Sequence, residues 1–207
     1  MPCLVQRLDP RPSEIEVLAT TPPPADFENI NEGSTVSEWI SFQIIQEIYH
    51  NNISGFINEA ELKDMFKMLA PMPDYVITQD NQEQTEEIAV SVTRAMYPCP
   101  HHMNTFNVRG DYTDDEAYRL LFKKIRALLV VFEISDIDCR IVRPWSLSIL
   151  HILSESDYIT GKLMAVYPDV MVELKSQFPD MPQVDIMITT IPSVIDSTLR
   201  KKIFAGY

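Results

Sequence analysis

Glycine is scarce, with five in 207 residues. Hairpin-rich folds need turn glycines at regular spacing, so an all-β architecture is not expected. The five are scattered and leave no glycine-rich loop to cradle a phosphate. Cysteine is scarcer still. Cys3, Cys99 and Cys139 are odd in number and far apart, which fits a reducing compartment better than a disulfide scaffold. Basic residues number 17 against 30 acids, for a net charge of −13. That balance argues against a nucleic-acid groove built on phosphate contacts and against an anionic membrane surface. No apolar run approaches the roughly 18–20 residues that span a bilayer. The longest, Ala127 to Phe132, reads as a core segment. Met1-Pro2-Cys3-Leu4-Val5 lacks the basic start and long apolar stretch of a signal peptide, so a cytoplasmic location is expected.

Hydrophobic residues make up 45% of the chain and charged residues 23%, enough of the first to build a core. Six prolines fall in the first 24 residues, so residues 1–33 read as an extended N-terminal arm. Residues 1–100 carry 16 acids and 5 bases, a net of −11, against −2 for the rest, which places a docking surface for a basic partner in the front half. Thr35-Val36-Ser37-Glu38 is a capping box, and Trp39 to Tyr49 is apolar at helical spacing. Residues 71–84 read as a proline-punctuated connector and 86–96 as a short helix. Thr113-Asp114-Asp115-Glu116 is a second capping box, opening a helix to about Phe132. Helices are expected over 145–153, 158–167 and 169–178, with Pro168 as a break. The stretch 184–204 is expected to be helical, with 184–188 the best strand alternative. The expected fold is all-α, with roughly seven to nine helices. It divides into the arm (1–33), a region 34–132 and a C-terminal helical region 133–207.

One motif is informative. Phe42, Ile45 and Tyr49 share a helical face, and Leu62, Met65, Phe66 and Leu69 share another. Between them lie twelve residues, His50 to Glu61, with Gly55 sixth, Ile57 eighth and Glu61 twelfth. This stretch resembles the EF-hand family, a helix–loop–helix. The resemblance implies a sharp turn at Gly55, a short pairing at Ile57 and a bidentate carboxylate at Glu61. The loop ligands it implies for Ca²⁺ are Asn52, Ser54, Phe56 (through its carbonyl), Asn58 and Glu61. His50 stands where the family carries Asp, and Glu61 is the one carboxylate among these ligands. Affinity for a hard cation rises with carboxylate count, so no resident cofactor is expected. Thr105 to Glu116, with Gly110 sixth, is a vestigial second match whose entry side is broken by Pro98 and Pro100.

Elsewhere the chemistry is sparse. Cys99-Pro100-His101-His102 lacks further ligands nearby for zinc, and Cys139 with His151 lies in no nucleophile motif. No paired carboxylates stand out as an acid–base couple, so no enzyme is expected. The expected function is a protein-interaction adaptor, independent of calcium. Its apolar groove (Phe42, Ile45, Tyr49, Leu62, Met65, Phe66, Leu69) would take a basic or amphipathic helix. The alternative is a self-associating structural subunit of viral type, clasping neighbours with its arm.

Overall fold

A computed structural model describes residues 5–11, 14–15, 35–49, 52–66, 72–80, 85–97, 111–137, 145, 147–194 and 203–204. The fold is α/β, not all-α. Its elements run β1 (Val5–Leu8), α1 (Thr35–Ile48), β2 (Ile53–Asn58), α2 (Glu59–Phe66), β3 (Tyr75–Asp80), β4 (Thr85–Ala95), α3 (Asp114–Ile137), β5 (Leu147–Ser154), α4 (Asp157–Gln177) and β6 (Val184–Thr190). The six strands form one sheet in the order β1-β6-β5-β4-β3-β2. Strands β1, β6, β5 and β4 are mutually parallel. Strand β3 is antiparallel to both of its neighbours. The sheet therefore draws strands from residues 5–8, 53–95 and 147–190 alike.

Helices cover both faces. On one face α1 lays Trp39, Ile40, Phe42 and Ile45 over Ile88, Val90 and Val92 of β4 and Ile149 and Leu153 of β5. On the other, α3 and α4 bury Leu121, Ile125, Leu128, Ile159, Leu163 and Leu174 against Leu150, Ile152, Ile186 and Ile188. Helix α2 adds a smaller cluster on this second face, with Leu62 packed near Met72, Val76, Ala89 and Trp145.

This layering explains why these strands read as helices in the sequence. A strand covered on both faces loses the alternation of a half-exposed one and reads as a continuous apolar run. Strand β5, Leu147-Ser148-Ile149-Leu150-His151-Ile152-Leu153-Ser154, is buried at every position but the first. The helix expected over 145–153 is this strand. The helix expected over 86–96 is β4, whose Ile88, Val90 and Val92 are β-branched residues suited to a pleated surface. The connector expected over 71–84 holds β3, and the last helical stretch holds β6 at its suggested strand position.

Of the expected helices, those opening at Thr35 and Thr113 and those over 158–178 stand, the last with one correction. Helix α3 opens on the anticipated capping box. The Thr113 N–H donates to Glu116 at 2.7 Å, and the Glu116 N–H donates to the Thr113 hydroxyl at 3.2 Å. The correction is at Pro168, which does not break α4. It lies on the solvent face, so the Met164 carbonyl that loses its N–H partner is left beside water rather than core.

Candidate interaction surface

The four expected groove residues whose side chains are described, Phe42, Ile45, Tyr49 and Leu62, do not line one groove. Phe42 and Ile45 are buried between α1 and the sheet, and Tyr49 is half-buried at the end of α1. Phe42 meets Phe56 edge-on at 5.2 Å and Tyr75 at 6.0 Å. Leu62 is buried on the opposite face of the sheet. Met65 and Phe66 belong to the α2 backbone, but their side chains, like Leu69, lie outside the described residues.

The residues implied as calcium ligands are also spread out. The stretch expected as a loop is largely strand β2, paired antiparallel to β3 with Ile57 opposite Val76. Asn52 and Ser54 are exposed, and Phe56 turns into the core. Asn58 and Glu61 form a capping box for α2. The Asn58 N–H donates to the Glu61 carboxylate at 3.0 Å, and the Glu61 N–H donates to Asn58 Oδ1 at 2.9 Å. Glu61 is thereby engaged at a helix start. Asn58→Ala should cost about 1 kcal/mol of stability, read from the urea midpoint, as for a lost N-cap elsewhere. His50, Cys99, His101, His102 and Cys139 lie outside the described residues, as does the first half of the second match, 105–110. No cluster of metal-ligating side chains occurs among the described residues.

The polar group with the most unusual surroundings was not anticipated. His151 is fully buried in β5. Its Nδ1 is 2.7 Å from the Ser41 hydroxyl, and its Nε2 is 2.7 Å from the Thr189 hydroxyl. Ser41 continues the chain to the Tyr75 hydroxyl at 2.8 Å. Desolvation lowers the His151 pKa from 6.5 to about 3, so the ring is neutral. Ser41, His151 and Thr189 have no accessible surface, so this row of hydroxyls and imidazole ties α1 to the sheet and faces no substrate.

The surface that stands out is the outer face of α4. Four large hydrophobic side chains are exposed among the described residues, and three of them, Tyr158, Met164 and Val172, are on this helix. Val172 is 72% exposed. Gly161, Ala165, Pro168 and Val172 recur at helical spacing along the exposed side, opposite the buried Ile159, Leu163, Val170 and Leu174. A side-chain carbon added at Gly161 would meet nothing within 4 Å. The stripe is thus apolar, shallow and open to a closely packed neighbour.

Its margins carry Asp157, Asp169 and Glu173, with Lys162 and Lys175 beside them. Asp157 stands at the helix start, and Asp169 and Glu173 are exposed on the side towards α3. The Tyr118 hydroxyl donates to Glu173, which raises the tyrosine pKa. Lys162 reaches Asp114 at 2.9 Å, and that partner raises its pKa. Sequence inspection placed residues 158–178 on helices but split them at Pro168, which hid the unbroken stripe. No family model matches the chain, and neither a curated protein nor a solved structure matches it.

Proposed function

We propose that this protein is a non-enzymatic interaction module whose outer α4 face receives a basic amphipathic helix of another protein. The observation that carries this reading is the concentration of exposed Tyr158, Met164 and Val172 on one helix, with Asp157, Asp169 and Glu173 at its edges. Isolated exposed hydrophobics are ordinary, whereas a contiguous apolar strip with a polar rim is how docking sites look. Gly161 and Ala165 let a second helix approach closely, and flanking lysines or arginines on that helix meet the carboxylates. A second copy seated on the same stripe would bring like charges together on chains that each carry −13, which disfavours self-association there.

The probe is an 18-residue helical peptide with leucine and alanine on one face and lysine on its flanks, compared with a version carrying glutamate in place of lysine. Fluorescence anisotropy should show the lysine peptide binding more tightly, with affinity falling as salt rises. Val172→Lys should weaken it at least about tenfold, equivalent to about 1.4 kcal/mol. Equal binding of both peptides, or no effect of Val172→Lys, would refute the proposal.

A further inference from the structure

A cleft of about 320 Å³ opens between α1 and the segment that follows β1. Leu8 and Thr189, adjacent in register at the carboxyl ends of the parallel strands β1 and β6, form its floor. Ile44, Glu47 and Ile48 make the α1 wall, and Asp9, Pro10 and Glu14 make the other. The carboxyl ends of parallel strands are where α/β sheets commonly hold ligands, and the volume falls in the small-molecule range. Thus an apolar interior (Leu8, Pro10, Ile44, Ile48) is ringed by three carboxylates, with no basic side chain in the lining among the described residues.

The charges at the mouth do not cancel. Arg11 pairs with Glu14 one to one. Arg7 serves two carboxylates, Asp9 and Asp157, and so leaves one negative charge uncompensated. Glu47 has no cationic partner among the described residues and adds a second. An organic anion would meet this field unfavourably, and a fully hydrated metal ion would gain nothing from the isoleucines. A cation with a hydrocarbon body satisfies both parts.

We infer that this cleft binds a primary alkylammonium ligand, with its chain against Leu8, Ile44 and Ile48 and its head between Glu47 and Asp9. The site lies apart from the α4 stripe, and the one link between them among the described residues is Arg7, which Asp157 at the helix start shares with Asp9. The test uses the full chain and three probes of equal length: hexylammonium, hexanoate and hexanol. NMR titration should show saturable shifts at Ile44 and Ile48 with hexylammonium at least tenfold tighter than with the other two. Glu47→Gln, an exposed change on a helix surface, should reduce that preference by about threefold or more without lowering the melting temperature. Ile48→Ser should weaken hexylammonium and hexanol alike. Binding of hexanol or hexanoate as tight as the ammonium would overturn the inference. So would hexylammonium shifts that Glu47→Gln leaves unchanged, or no saturable shifts in a protein whose spectrum shows it folded.

Discussion

Between pH 7 and pH 3, burial of His151 alone should remove about 4 kcal/mol of folding stability, at about 1.4 kcal/mol per pH unit over most of that range. The folded protein holds the imidazole neutral, with its pKa lowered to about 3 against 6.5 for a free side chain. Below pH 6.5 the unfolded chain takes up a proton that the folded chain refuses. The contribution is therefore fully present above the unfolded value and is lost as pH falls towards the folded one. The clean window is pH 7 to 5, where ordinary carboxylates stay ionised and the loss should be about 2 kcal/mol. Asp74 works in the other direction. Desolvation raises its pKa, so its contribution favours the folded state as pH falls. Urea midpoints at pH 7, 6 and 5 should fall steeply for the natural protein. His151→Gln should be less stable at pH 7 but much flatter with pH. Parallel curves for the two proteins would show that His151 does not set the slope.

The helices were legible because their signals are local. The box at Thr113 and Glu116 is one turn of chain, and its hydrogen bonds form as the residue types require. The sheet was not legible because its signals are non-local. Nothing near Ile149 or Ile152 announces that helices cover both faces of β5. Strand β2 shows how the same residues can support another reading. Gly55 suggested a sharp loop turn, yet it sits in a strand at a register shift against β3. A side-chain carbon there would lie 2.8 Å from the Thr78 hydroxyl, so close strand approach accounts for the glycine. Ile57 suggested a short pairing between loops, and its partner is Val76 in a full antiparallel ladder. Glu61 suggested a cation ligand, and its carboxylate accepts from the Asn58 backbone N–H. Strand, cap and helix start share residue types with a helix–loop–helix, and only the long-range pairing with β3 separates them. The α4 stripe could have been found earlier, since 161, 165, 168 and 172 recur at helical spacing. A proline inside a helix need not end it, and Pro168 sits within α4 on its solvent face.

Ile45→Ala distinguishes a core residue from a groove residue by the size of its stability loss. A leucine or isoleucine lining an exposed groove loses little when truncated, because it was never fully removed from water. Ile45 has no exposed surface and packs in the cluster that joins α1 to β4 and β5. Truncation removes three carbons and leaves a void that close-packed neighbours fill only in part, at a cost of about 2–5 kcal/mol. Truncating Val172 to alanine, where the side chain is 72% exposed and two carbons are lost, should change stability by no more than about 0.5 kcal/mol. Peptide binding should show the opposite ranking. Helix α1 and helix α4 lie on opposite faces of the sheet, so folded Ile45→Ala should keep its affinity for the lysine peptide while Val172→Ala loses some of it. Denaturation midpoints and anisotropy on these two variants therefore divide the chain into what holds α1 on the sheet and what meets a partner. A small stability loss at Ile45 with a large loss of binding would return the interface to the α1 side.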